Sequence, residues 1–427
     1  MAKVLYEGKL KIYGGWKEIG GNCVVVEEGG RKLVFDNGIR FQVLKRVYGG
    51  RVTPLGPREM QSLGIIPDAK VYEGAEALYI SHGHLDHVGL LYEVPNDVKI
   101  VVPRRRIFEA TIFEWYGNSN TWLSYVKPKI YAEVADAVEL KEDEHGVIAV
   151  PVSHSAYPAC AYIYQGRDIT LFYSGDLRLE PPSLGLVKSL EESLQKLGID
   201  RVDVAVLEGT NFSRGVENFP ITAGVFREFM VNALSQFDLV AISIDPLDLE
   251  MFQAVIELSK ISGREIVVAS ERLLWAVEEV AERFTQTVSL LGEVSAVTAV
   301  GVKYTSLEEV LYDRGNYVII IEPVALLGVL RKLRLWKGEV DLVGSLAVLT
   351  DPEPREAVKE VEEEVAAKWL SMFGFQVYRL RLSGHYHPQN FFDLIRLLNP
   401  KELVPIHTED PAYMIKLFRK AKERLGS

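Results

Sequence analysis

Three of the eight histidines in this 427-residue chain, His82, His84 and His87, fall in the short segment SHGHLDHVG, with Asp86 among them. Positions i, i+2 and i+5 share no helical face, so an amphipathic core helix does not account for the cluster. A strand-to-helix turn does. His82 and His84 can point the same way from extended backbone, and Asp86 and His87 then open the following helix and reach the other side of the same cavity. Imidazole and carboxylate are the donors of a hydrolytic Zn2+ or Mn2+ site. Three further residues of these types, His154, Asp176 and His407, follow apolar runs in VIAVPVSH, LFYSGD and ELVPIH. Singly, each reads as a polar residue closing a strand. Beside the cluster, they read as ligands converging from several strand ends on one sheet edge. His145, in KEDEHG, reads as solvated surface.

The elements that must position these residues change character along the chain. Up to Glu208 the text is strand-dominated: LKIYGG, NCVVVEEGG and RKLVFDNG are separated by Gly-Gly turns, and AEALYIS leads into a helix from about His87. VIAVPVSHS, ACAYIYQG, DITLFYSGD and VDVAVLEGT make four more consecutive strands. From Pro220 helix and strand alternate, the rhythm of a parallel sheet covered by helices. Asp245-Pro246 reads as an N-cap followed by proline at the first helical position. At LRLSGHYH the chain returns to a strand with a polar end, then a helix, the strand ELVPIH and a last helix. A length of 427 residues itself predicts more than one domain.

Composition narrows the function classes. The net charge of −11 argues against a surface that grips nucleic acid everywhere, though not against a local basic cleft. A metal site would add positive charge that such a count omits. Two cysteines, Cys23 and Cys160, exclude a disulfide framework or a Cys-rich zinc module and read as buried thiols. No apolar run is long enough to span a bilayer, so no membrane partner is expected. The segment MAKVLYEGKLKIYGG reads as strand rather than signal peptide, and a cytoplasmic location is the expectation.

SHGHLDHVG has the H-x-H-x-D-H form of the metallo-β-lactamase superfamily, and the chain resembles that superfamily onward in order. Asp36 in LVFDNG resembles its first motif, His154 in VPVSHS its third and Asp176 in YSGD its fourth. LEGTN at Glu208, SGHYH at His385 and VPIHTED at His407 resemble the three motifs of the β-CASP family, and the whole is most similar to the ribonuclease J type. The resemblance implies an αββα metallo-β-lactamase sandwich in 1–208, completed by 383–427, with an inserted α/β β-CASP domain of parallel sheet type over 209–382. It also implies two divalent metal ions, Zn2+ first and Mn2+ as the alternative. His82, His84 and His154 would hold one ion and Asp86, His87 and His407 the other, with Asp176 bridging. A hydroxide between the ions would be the nucleophile, oriented by Asp86. Glu208 would orient His385 or a ligand histidine from outside. His385 would face the scissile phosphate as acid or charge stabiliser, with Ser383 and Gly384 offering local donors. RNA is the implied substrate, because a histidine in the third motif is what RNA-acting members carry.

The chain departs from that pattern in two places. Tyr386 and His387 stand where ribonuclease J proteins usually have two small residues. DPLDLEM sets Asp245, Asp248 and Glu250 where phosphate donors are usual, which puts a 5'-phosphate pocket in doubt. Two rival readings remain at this level. One is a hydrolase of small phosphoesters or lactones on the same fold; the other is an inactive scaffold subunit of an RNA-processing complex, against which the intact ligand set argues. Weaker signals are the aromatic and basic segment with Trp115, Tyr116, Trp122, Tyr125, Lys127 and Lys129, where bases could stack or a rim simply pack. Arg104 to Arg106, and Arg331, Lys332, Arg334 and Lys337, could meet phosphates or solvent. A homo-oligomer is left open.

Overall fold

The strands Cys23–Glu28 and Arg31–Phe35 are apolar on both faces, and this dictates layers on both sides of their sheet. The computed structural model describes residues 3–49, 52–89, 91–105, 107, 134–137, 139–212, 220–269, 273, 288–291, 302–321, 323–338, 341–350 and 357–426. One face of these strands presents Val24, Val26, Leu33 and Phe35, which join Tyr162, Tyr164, Leu171, Tyr173 and Val206 in a shared core between two sheets. The other face presents Cys23, Val25 and Val34, packed against Val43, Leu44, Leu85 and Val88 from helical segments.

The first sheet has seven strands. Lys3–Leu5, Leu10–Gly14, Cys23–Glu28 and Arg31–Phe35 run antiparallel, and Ala77–Tyr79, Lys99–Val102 and Val134–Asp136 continue it in parallel. The second has five, in the order Glu402–Ile406, Val204–Glu208, Thr170–Tyr173, Ala159–Gln165, Val147–Val152. Its far face, with Ile148, Val150, Ile163, Phe172 and Leu207, is covered by the helices Leu190–Leu197, Phe391–Leu398 and Pro411–Leu425. This is an αββα sandwich. Stacked and tilted rings of Phe35, Tyr79, Tyr162 and Tyr173 lie at its centre, Phe35 and Tyr79 with centroids 5.4 Å apart. Each such contact is worth about 0.5–1.5 kcal/mol beyond buried area. These elements belong to one compact unit comprising Met1–Leu179, Val187–Asn218 and Gly384–Ser427.

The second unit, Glu180–Leu186 and Phe219–Ser383, contains a seven-stranded, wholly parallel sheet. Its order is Val302–Thr305, Val288–Leu291, Glu265–Val268, Tyr317–Ile320, Val240–Ser243, Leu346–Leu349, Gln376–Arg379. Among its helices are Ala223–Gln236, Leu249–Ser262, Pro323–Lys337 and Ala357–Met372.

Several local expectations need correction. The helix at His87 is a single turn, Leu85–Val88, closed by Gly89 at φ 45°, whose N–H donates to Leu85 O. The helix expected to begin at Asp245-Pro246 is capped instead by Asp248, whose side chain accepts from Met251 N, while Asp245 accepts from Leu247 N in the preceding turn. The strand before the SGHYH segment is Gln376–Arg379 in the second unit, and Leu380–Ser383 lie beyond it. The aromatic segment from Trp115 to Lys129, with Arg106, lies outside the described residues. Arg331 and Arg334 pack over the rings of Trp369 and Phe373, at 5.4 and 5.9 Å from their centroids, so these two contribute packing as well as charge.

Candidate metal centre

The cluster segment leaves the strand Ala77–Tyr79 in extended backbone and turns at His84, the N-cap of the one-turn helix. That turn is clasped by neighbouring loops. Asn22 N donates to Asp86 O, Asn37 N to His87 O and Ile39 N to Leu85 O, all within 3.0 Å. The clasp requires glycine at position 38, because a Cβ there would stand 1.6 Å from Asp86 O. Among the described non-glycine residues with left-handed backbone are Asp36, at φ 57° after the strand Arg31–Phe35, and His407, at φ 50° after Glu402–Ile406. Both serve this cluster, Asp36 from behind His87 and His407 among the donors, and strain of this kind persists only where surrounding contacts over-determine the residue.

Within this unit the side chains converge on one carboxylate. Asp176 Oδ2 lies 3.1 Å from His87 Nε2, 3.6 Å from His407 Nε2, 3.8 Å from His82 Nε2 and His154 Nε2, and 3.9 Å from His385 Nδ1. His84 Nδ1 meets His82 Nε2 at 3.2 Å and His154 Nε2 at 3.1 Å, and His407 Nε2 meets Asp86 Oδ2 at 3.2 Å. Four groups could each hold an ion, with donor atoms all within 4.8 Å of one another: His82, His84 and His154; His82, His87 and Asp176; Asp86, His87 and His407; and Asp176, Glu208, His385 and His407.

The outward ends of the rings fix which nitrogen faces inward. His154 Nδ1 is 2.5 Å from Gly384 O, which can only accept, so it carries the hydrogen and leaves Nε2 bare. His87 Nδ1, 2.7 Å from Asp36 Oδ2, likewise donates outward, so Nε2 is the nitrogen that faces Asp176. Asp36 is wholly buried and also accepts from Ser81 N, Ser81 Oγ and Tyr173 OH at 2.6–2.8 Å. Ser81 Oγ, its proton given to Asp36, accepts from His82 Nδ1 at 3.0 Å. Imidazole nitrogen lone pairs that face one another in a buried cluster repel unless a cation sits between them. Asp176 Oδ1 and His87 Nε2 are buried with no hydrogen-bond partner among the described residues, His87 Nε2 being near Asp176 Oδ2 but not aligned with it. Neutral nitrogen and carboxylate donors of this kind fit divalent ions.

The ionisation pattern follows the same crowding. Burial, then His87, His154 and His84, push His82 well below its ordinary value. Burial and His84 do the same to His154. Burial opposes charge on His87, yet Asp176 and Asp36 raise it well above the usual imidazole range. Asp176, which burial alone would raise, is held well below the carboxylate range by His407, His87 and His385. His385 is raised in spite of burial, chiefly by Glu208 and Asp176, and its Nδ1 is 3.1 Å from Glu208 Oε1.

Some site residues stand differently from their sequence expectation. Gly384 contributes a carbonyl to His154 where a donor was expected. Ser383 belongs to the second unit and is buried there. His145 is not solvated: it is buried, its ring edge-on to Tyr79 at 6.4 Å. The charged letters around it conceal a tight turn in which Asp143 accepts from His145 N, Val147 N and Tyr79 OH, drawing the ring inward. Tyr386, a departure from the small residues usual there, is fully buried and donates to Glu208 O at 2.7 Å. Asn211 donates to Tyr386 O, so LEGTN and SGHYH are tied together. Sequence reasoning passed over Ser81, Tyr173, Thr210 and Asn211. For Thr210 and Asn211 the available signal was their place in the same motif as Glu208.

Residues 75–209 match the family model of the metallo-beta-lactamase superfamily. The chain is 22% identical over 423 residues to ribonuclease J of Pyrococcus abyssi, covering 94% of this chain and 90% of the relative. It is 21% identical to ribonuclease J of Methanocaldococcus jannaschii, covering 98% and 96%, and 21% identical to ribonuclease J2 of Bacillus subtilis, covering 98% and 72%. A crystal structure from Enterococcus faecalis V583, described as a protein of unknown function, superposes with a TM-score of 0.70 at 19% identity over 94% of both chains.

Proposed function

We propose that this chain, similar over residues 75–209 to the metallo-β-lactamase superfamily and along most of its length to ribonuclease J proteins, is a metal-dependent hydrolase of the β-CASP, ribonuclease J type that cleaves RNA phosphodiester bonds with two ions. The observation that carries the chemistry is the convergence of five histidines on Asp176 Oδ2 within 3.9 Å. In this reading His82, His84 and His154 would hold one ion and Asp86, His87 and His407 the other, with the Asp176 carboxylate available to each. Zinc is the favoured ion, since three imidazoles suit it, with Mn2+ the alternative. Bound ions would supply Lewis acidity and water that ionises near about pH 7. The protein's own residues do the rest. Asp86 orients the attacking water. Asp36, Ser81 and Gly384 O hold the ligand rings in the tautomer that presents nitrogen lone pairs. Glu208 accepts the Nδ1 hydrogen of His385 and stabilises its charge, leaving Nε2 as a positioned acid for the departing oxygen. A cytoplasmic setting suits RNA as substrate, and no described helix is long and apolar enough to cross a membrane.

Matched 5'- and 3'-labelled single strands of RNA and DNA, digested over time with Zn2+ or Mn2+, test this reading. RNA is expected to be cut faster. Equal rates, or turnover of chromogenic small esters alone, would hand the case to a broad-specificity hydrolase. Elemental analysis of the purified protein should find up to two transition-metal ions per chain, and fewer in His82→Ala; a reconstituted protein without metal refutes the dinuclear centre.

A further expectation concerns the 5' end. Asp248 and Asp245 cap backbone amides and Glu250 is wholly buried, so the acidic side chains of DPLDLEM supply acceptors rather than phosphate donors. Changing the RNA 5' end from monophosphate to hydroxyl should alter the cleavage rate little. A strong requirement for the monophosphate would show that phosphate is recognised elsewhere.

A further inference from the structure

We propose that Thr210 is a positioning residue whose hydroxyl links Glu208 to His407 and fixes the tautomer in which His407 presents its Nε2 lone pair to the metal. This rests on the reading of His407 as a ligand. Thr210 Oγ1 lies 2.8 Å from Glu208 Oε2, 2.7 Å from His407 Nδ1 and 3.2 Å from His385 Nδ1. Proton accounting orders these contacts. A carboxylate can only accept and the hydroxyl has one hydrogen, which goes to Glu208 Oε2 at 2.8 Å rather than to the more distant His407 O at 3.5 Å. The oxygen of Thr210 is then left with lone pairs and must accept from His407 Nδ1–H. The second oxygen of Glu208 takes His385 Nδ1 at 3.1 Å, so one buried carboxylate orders two rings, directly for His385 and through the hydroxyl for His407. Thr210 N also donates to Glu208 Oε2 at 2.9 Å, which pins the threonine in place.

The link is needed because His407 has a competing acceptor. Asp86 Oδ2 is 3.2 Å from Nε2 and would draw the ring hydrogen to the inward nitrogen, where it blocks coordination. The shorter contact at Thr210, strengthened by its bond to an ionised carboxylate, holds that hydrogen on the outward side. Ser81 stands in the same relation to Asp36 and His82, so the arrangement of carboxylate, hydroxyl and imidazole occurs twice around the cavity.

Zinc affinity by chelator competition, measured on the full chain, tests the link without reference to turnover. Thr210→Val keeps the branched shape and removes the hydroxyl; the weaker of the two ions should bind about 10–100-fold less tightly, the range for an outer partner of a ligand histidine. Thr210→Ser should restore near wild-type affinity. Equal weakening in both variants would assign Thr210 to packing and overturn the link. Wild-type affinity in Thr210→Val, beside loss of an ion in His407→Ala, would overturn the link and leave the ligand reading standing. Unchanged binding in His407→Ala would overturn the ligand reading and the link with it. If Thr210→Val does not fold, Thr210→Ala takes its place. The nitrogen chemical shifts of His407 in metal-free wild-type protein, in mildly alkaline buffer, decide independently: hydrogen on Nδ1 supports the link, hydrogen on Nε2 refutes it.

Discussion

Asp176→Asn should lower bound metal from two ions per chain to one or fewer and reduce RNA cleavage by at least about 10³-fold, more than the roughly 10–100-fold that loss of an outer partner costs. The substitution keeps the shape of the side chain and removes its charge. Asp176 is nearly fully buried, and its Oδ2 is within 3.9 Å of nitrogens from His82, His87, His154, His385 and His407. In the two-ion reading its carboxylate is, among the described residues, the anion available to both ion positions. An amide can offer an oxygen to one of them, but no charge to either. The change should also appear in stability. An ion that binds only the folded state adds about 2.7 kcal/mol at a hundredfold excess over its Kd, so zinc should raise the melting temperature of wild type more than that of the variant. Metal content and melting temperature measured side by side check the expectation. A variant with wild-type metal content and turnover would remove Asp176 from the bridging position.

His385→Ala should lower the phosphodiester rate by about 10² to 10⁴, the range for a positioned acid or charge-stabilising group, while both ions are retained. The retention follows from the partners left behind. Glu208 keeps two donors, the amide and hydroxyl of Thr210, so no uncompensated buried charge is created. Asp176 keeps His87 at 3.1 Å. The size of the rate effect follows from the proton. Burial opposes a charge on His385, but Glu208 and Asp176 hold its pKa above the ordinary imidazole value, so the acid form persists to higher pH than that of a solvated histidine. His387, buried at the N-cap of the turn Pro388–Asn390, is the control, and His387→Ala should cost much less turnover. The two variants are compared in rate and in metal content. Loss of an ion in His385→Ala would place this residue in the ligand set, as the proximity of Asp176, Glu208, His385 and His407 permits. Wild-type turnover would remove it from the mechanism.

What the sequence determined by itself was whatever local periodicity and residue type can encode. Seven donor-type residues were legible, because three histidines and Asp86 fall within six positions of a strand-to-helix corner and the others follow apolar runs. The two kinds of sheet were legible too, since doubly buried strands read as continuous apolar runs and βαβ units alternate their periods. Tertiary structure decided the rest. Glu208 and His385 are 177 residues apart and meet at 3.1 Å. Nothing in either segment's own pattern specifies that distance. Ser81 meets the carboxylate of Asp36, and Thr210 the imidazole of His407, only when another strand brings them, and a hydroxyl by itself carries no such signal. His145 lies in a charged run and is buried, because Asp143 pulls its turn against Tyr79. Asp248 rather than Asp245 caps its helix, because both carboxylates can accept backbone amides and the chain's path after Ser243 selects between them. Local sequence specifies which groups are present and which way short segments turn. Which partners they acquire depends on long-range packing, and that packing sets the tautomers and the charge states on which the chemistry depends.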